Sequence, residues 1–132
     1  MERLYKYLEK DGRPYFGGHG AWPLPTATKP GEWCERITEP LVVCAVGYHV
    51  LRREHLLGWL GPTLWEVEAE PPVLWRDDKG VTARARLVRQ IETWNTTTMQ
   101  LFAADCVNHV AYLHTLVSDP THRAAEKAAF KA

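Results

Sequence analysis

Tyr48 and His49 stand at the end of an apolar run, Leu41-Val42-Val43-Cys44-Ala45-Val46, directly after Gly47. An imidazole titrates near neutrality, so a histidine where a strand meets a loop can move a proton or orient a substrate. The same residue also fits a histidine hydrogen-bonded within a turn. Asp77-Asp78-Lys79 sets two carboxylates beside an ammonium, which suits a ribose or a metal ion and equally a solvated turn. Glu92 ends an alternating stretch, where a catalytic carboxylate can project into a cleft. His19 lies among glycines whose backbone amides can face an anion. His55 follows His49 by six residues, which is no metal-ligand spacing, and His109, His114 and His122 read as solvated helix positions. Cys34, Cys44 and Cys106 are widely spaced, without a zinc pattern or a Cys-His-acid context. No metal is expected. Phosphate-loop, dinucleotide-glycine, HExxH and paired CxxC motifs are absent, which removes several large enzyme classes.

The elements that must hold these residues follow from the apolar periodicity. Leu41–Val46 is short and β-branched, as a buried strand would be. A short helix is expected through Leu51, Leu56, Leu57 and Leu60, stopped by Gly61-Pro62. Leu64–Glu70 alternates Trp65, Val67 and Ala69 against Glu66, Glu68 and Glu70. Upstream, Arg3–Leu8 alternates Leu4, Lys6 and Leu8 against Tyr5 and Tyr7, a first strand with an aromatic face. The proline-rich stretch from Ala21 to Pro30 reads as a long loop, with a strand expected around Trp33–Ile37. Downstream, Val81–Thr93 resumes alternation, with Arg84 and Arg86 able to face the glutamate row across a strand pair. On this strand Arg89 intrudes on the apolar face and Val88 on the polar one.

Asn95 or one of Thr96 to Thr98 caps a long helix with an apolar stripe of Met99, Phe102, Cys106, Val110, Leu113 and Val117. A second helix is expected from Asp119-Pro120 onward. The order implies one α+β domain: a strand-rich core over 1–94 and a C-terminal helical pair over 95–132.

Composition sets the surroundings. The chain has 132 residues, 45% apolar and 24% charged, with sixteen basic and sixteen acidic side chains. Cancelling charge gives no global attraction to nucleic acid or to anionic membranes. The odd, sparse cysteines suit a reducing compartment, and neither a signal peptide nor a spanning run is apparent, so a cytoplasmic protein is expected. The six tryptophans fit core and half-buried positions better than a ligand cleft.

Two resemblances bear on function. Gly47-Tyr48-His49-Val50, a short helix, Leu64-Trp65-Glu66-Val67 and Asp78-Lys79 together resemble a family of uncharacterised small phage and bacterial proteins. A Leu101–Cys106 helix like those found near such domains adds to this. The element order is also similar to ADP-ribosyltransferase-like domains of the rifampin ADP-ribosyltransferase type, which grip NAD in a split, bent antiparallel sheet. That resemblance implies an NAD or nucleotide cleft built from Tyr5, Tyr48, His49 and Asp78, with His49 and Glu92 as catalytic groups. The first strand, Leu4-Tyr5-Lys6-Tyr7, lacks the His-Gly pair of that family. The resulting expectation is a phage- or mobile-element-type accessory protein acting in the host cytoplasm. The alternative is a non-enzymatic module binding a host protein through the Trp22 loop and the C-terminal helices.

Overall fold

The computed structural model describes residues 2–118 apart from 17 and 19. The helix expected from Asp119 onward, His19 and His122 lie outside the described residues. The chain forms two compact units, the first ending at Asn95 and the second beginning at Thr96. The fold is mixed α and β, with small antiparallel sheets and one long C-terminal helix. Its elements are β1 (Leu4–Leu8), β2 (Tyr48–Val50), a 3₁₀ helix (Arg53–Gly58), β3 (Thr63–Ala69), β4 (Leu74–Trp75), β5 (Gly80–Thr82), β6 (Ala85–Gln90) and α1 (Thr96–Ser118).

The first sheet runs β1-β3-β6, antiparallel throughout. Alternation on β3 works as the side-chain period requires: Trp65 and Val67 are buried with Leu4, Leu8, Ala85 and Leu87, while the glutamates face arginines. The single stretch expected over 81–93 is two strands, because the chain leaves one sheet and enters the other at Ala83-Arg84. A bulge resolves the misplaced Arg89. Glu66 sits opposite Arg89 but Val67 opposite Leu87, so Val88 is the extra residue. One inserted residue reverses the facing of everything beyond it. Arg89 thereby reaches Glu66 at 2.6 Å.

The second sheet, β2-β5-β4, is also antiparallel. It meets the first where Tyr5 and Leu51 exchange both backbone hydrogen bonds, 2.8 and 2.9 Å. The stretch expected as a strand around Trp33–Ile37 is instead an extended strap. Gly31, Cys34 and Ile37 donate to the carbonyls of Leu87, Ala85 and Ala83. The strap advances three residues for every two on β6, a mismatch that rules out a regular ladder.

The apolar run Leu41–Val46 is not a buried strand either. Val42 and Val46 bridge each other around a tight turn, and Cys44 takes a left-handed φ of +71°. Local backbone pairing has overridden hydrophobic content here, leaving Val42 half exposed. The turn docks because Gly47 follows it: at φ +129°, a Cβ on Gly47 would lie 2.1 Å from Val81 Cγ2.

Two apolar clusters hold the first unit. The larger gathers Leu8, Val50, Leu87 and their neighbours around Trp22 and Trp65. Its fully buried leucines and valines each contribute about 1.5–3 kcal/mol as an upper estimate. Trp22 belongs to this core at 5% exposure, so the proline-rich loop does not offer its tryptophan to a partner. The smaller cluster joins Tyr7, Leu51 and Leu64, with Tyr5 and Trp94 against it. All six tryptophans are buried or half-buried.

In the second unit, α1 starts within the expected cap region and spans 23 residues. Its apolar residues are not confined to one stripe: Leu101, Val107, Val110, Tyr112, Leu113 and Val117 are all exposed. Among the described residues no helix is long and apolar enough to cross a membrane.

Candidate functional site

β1 positions the key side chain. Leu4, Lys6 and Leu8 share a face by strand alternation, and Leu4 and Leu8 are core residues. Lys6 therefore carries an ammonium into apolar surroundings, its Nζ 5.2 Å from the ring centroid of Trp22. β1 has backbone partners on this edge at Tyr5, which bridges Leu51, and at Leu8, which bridges Pro14. Between those bridges lies a cavity of about 350 Å³, lined in part by Lys6, His49, Lys79, Trp59, Phe16 and Tyr15. That volume is at the lower end of ordinary small-molecule sites.

Its walls are built from three local structures. β2 carries His49 in from the side opposite Val81. The turn before β5, closed by the Arg76 N–H on the Lys79 carbonyl at 2.7 Å, brings Lys79. That turn is tied to the end of the 3₁₀ helix twice: Trp59 Nε1 donates to the Asp78 carbonyl at 2.9 Å, and Lys79 Nζ lies 4.7 Å from the Trp59 ring centroid. Phe16 meets Trp59 edge-on at 5.2 Å, and Tyr15 meets Phe16 at 4.8 Å. The three rings make a continuous aromatic wall.

The electrostatics are one-sided. No carboxylate lines the cavity among the described residues, and neither Lys6 nor Lys79 has an ion-pair partner there. Burial, with Lys79 adding repulsion, lowers the Lys6 pKa to about 8, partly opposed by Cys34. Burial, then Lys6 and Lys79, lowers the His49 pKa to about 4. His49 is thus neutral at physiological pH. Its Nε2 accepts the Cys44 N–H at 2.8 Å, which puts the ring proton on Nδ1. With that lone pair engaged, the ring is a fixed neutral donor and a support for the Cys44 turn, poorly arranged to act as a general base.

The other residues singled out from sequence fall elsewhere. Tyr48 points to the opposite face of β2 from His49, donates to the Glu35 carbonyl at 2.6 Å and packs edge-on against Trp22. Tyr5 packs against the smaller apolar cluster. The Asp78 side chain is exposed, and the residue contributes its carbonyl to Trp59. Glu92 borders a separate cavity with Thr26, Trp65 and Arg89. Of the five, only His49 lines the lysine cavity. His55, whose spacing from His49 is no metal-ligand pattern, is buried, and its Nδ1 accepts the Arg52 N–H at 3.0 Å.

Comparison with protein-family models, curated proteins and solved structures finds no match for this chain. Function therefore rests on the site itself. No group of three or more His, Cys, Asp or Glu able to hold a metal occurs among the described residues. Lys6, Lys79 and Trp59 define the cavity; from sequence, Lys79 stood out only as the ammonium of the Asp77-Asp78-Lys79 turn, and none of the three was assigned a site role. A signal for Lys6 was present: a lysine between two leucines on the apolar face of a strand is costly unless something uses its charge.

Proposed function

We propose that the first unit binds a small anionic ligand with an aromatic part, a nucleotide of the NAD or ADP-ribose type, in the lysine cavity. The observation that carries this is a pair of ammonium groups without a carboxylate, set in a concavity with an aromatic wall. Unpaired cations in a low-dielectric cleft concentrate anions, and stacking on an aromatic side chain adds about 1–3 kcal/mol per base. Lys6 and Lys79 would hold phosphate, the Trp59–Phe16 wall the ring, and His49 Nδ1–H a polar group of the ligand. The two small antiparallel sheets joined at Tyr5 and Leu51 support the likeness to ADP-ribosyltransferase-like folds. Transfer chemistry has less behind it, because Glu92 borders the other cavity. The reading is accordingly a binding site, in an accessory protein acting in the host cytoplasm.

Calorimetric titration with ADP-ribose, and separately with NAD, tests it. Saturable binding that weakens at least ten-fold in Lys79→Ala is expected. Absence of binding at millimolar ligand would sink the proposal.

A second reading, an interaction module for a host protein, draws on the exposed apolar residues of α1, a helix whose 23 residues include one carboxylate, Asp105, and no lysine or arginine. Its test is retention of a lysate protein by the full chain and loss of that protein in Val110→Glu.

A further inference from the structure

We propose that Lys6 is a nucleophilic amine that forms an imine with a phosphate-bearing aldehyde bound in the cavity. This rests on the anion-binding reading above and names the ligand class for the same site. Three observations converge. Lys6 is on the core-facing side of β1, with Trp22 beneath its ammonium and no carboxylate to hold it protonated. A second cation, Lys79, lines the same cavity and can take a phosphate while raising the cost of a second charge at Lys6. Desolvation and a cationic neighbour are the two means by which an amine is freed for attack on a carbonyl. His49, neutral and protonated on Nδ1, offers the cavity a donor for the carbonyl oxygen.

The step needs no oxidant or reductant. The nitrogen lone pair of neutral Lys6 attacks the aldehyde carbon, and the carbonyl oxygen gains a proton to give a carbinolamine. That hydroxyl then departs as water, taking up the second amine proton, and the C=N bond forms. One water leaves for each imine made. A free ADP-ribose fits the class, since its ribose opens to an aldehyde while its diphosphate keeps the charge. The charged and titratable groups around Lys6 are Cys34 from the strap, Lys79 from the turn before β5 and His49 from β2, with Tyr7, Tyr15 and Cys44 also on the cavity lining. With its pKa lowered to about 8, about one Lys6 in ten is a free amine at pH 7, against fewer than one in a thousand for an ordinary lysine.

The test is reductive trapping. The full chain is incubated at pH 7.5 with pyridoxal 5′-phosphate, an aromatic aldehyde phosphate, then treated with cyanoborohydride and mapped by peptide mass spectrometry. Lys6 is expected to be labelled at least ten-fold faster than the exposed Lys10 and Lys29. The rate at Lys6 should rise through a midpoint near pH 8, and Lys79→Ala should slow it several-fold. Lys6→Arg keeps the positive charge and, with an unchanged melting curve, should leave only the slow surface labelling. Labelling of Lys6 no faster than that of Lys10 and Lys29 would overturn the inference. The two proposals separate cleanly: binding of ADP-ribose without trapping at Lys6 removes the imine and keeps the site. Trapping at Lys6 that ADP-ribose does not slow keeps the imine and removes the nucleotide reading.

Discussion

Two regions of the first unit treat positive charge in opposite ways. On the glutamate row of β3, Arg3 and Arg89 share Glu66, Arg86 holds Glu68, and Arg36 and Arg84 share Glu70. In the cavity at the edge of β1, Lys6 and Lys79 have no carboxylate among the described residues. The chain has as many acidic as basic side chains, so this is a matter of placement. Where charge serves the sheet it is compensated on the spot. Where it is left uncompensated and half-buried, it costs stability and is available to a ligand. Net charge, a sum over the molecule, hides both conditions.

The largest effect should come from removing the uncompensated charge. Lys6→Met keeps the length of the stem and discards the ammonium. The Lys6 pKa falls from an ordinary 10.5 to about 8 on folding. Below pH 8 the amine is charged in both states and the desolvation cost is fully present. Between pH 8 and 10.5 the folded state loses its proton while the unfolded chain keeps it, so stability due to this group rises with pH. Lys6→Met should therefore be more stable than the parent by about 1–3 kcal/mol at pH 7, a gain that fades toward pH 10.5. Urea unfolding of both proteins at the two pH values measures it. Equal stability at pH 7 would mean that Lys6 is as well solvated as any surface lysine.

His49 sharpens the comparison from the acid side. Its folded pKa of about 4 lies below the ordinary 6.5, so the unfolded chain binds the proton first. Stability from this group is fully present above pH 6.5 and is lost as pH falls toward 4. Protonation would also break the Cys44 N–H bond to Nε2. His49→Gln should be less sensitive to acid, the difference between the two proteins shrinking by about 1–3 kcal/mol between pH 7 and 4. Parallel stability curves over that range would show that the imidazole takes up its proton as readily in the folded protein as in the unfolded chain.

The contrast also explains what could be read from sequence. The glutamate row and its partners Arg84 and Arg86 were legible because alternation on β3 and β6 is a local property, and cross-strand pairing follows from it; Arg89, placed by the bulge, and Arg3 and Arg36 were not. The α+β class and the start of α1 were legible for the same reason. The cavity was not, because it depends on contacts distant in the chain: Lys6 with Lys79, Phe16 with Trp59, and the gap between two bridges on one edge of β1. The apolar run at 41–46 misled because its composition suits a strand while its position calls for a turn ahead of Gly47. Tyr48 and His49 were noticed together, yet neighbours on a strand point to opposite faces, and only one of them reaches the cavity.

Deletion of Val88 is a smaller test, aimed at how the paired face is kept in register. With Val88 as the inserted residue, removing it leaves Leu87 opposite Val67 and brings Arg89 into regular sequence opposite Glu66. The ladder becomes continuous, and the variant should fold with a loss of roughly 1 kcal/mol or less. Leu87→Ala, by contrast, truncates a fully buried side chain without touching the register and should cost about 2–5 kcal/mol. If deletion of Val88 were as damaging as Leu87→Ala, the bulge would not be what sets Arg89 facing outward.

The smallest effect belongs to the compensated charges themselves. Glu68 Oε2 accepts from both Arg86 Nε and Arg86 Nη2, at 3.0 and 2.8 Å, and both side chains remain about one-third exposed. Solvent screening at that exposure limits such a pair to about 0.2–1 kcal/mol, the more so because Arg86 also rests 4.7 Å from the Trp33 centroid and keeps that contact without the carboxylate. Glu68→Gln should fall within this range in urea unfolding, and half-molar salt should reduce the difference. A loss above about 2 kcal/mol, insensitive to salt, would show that the arginine face carries the sheet as strongly as its apolar side. The opposition between a paired surface of modest energetic weight and a strained cavity would then no longer describe the molecule.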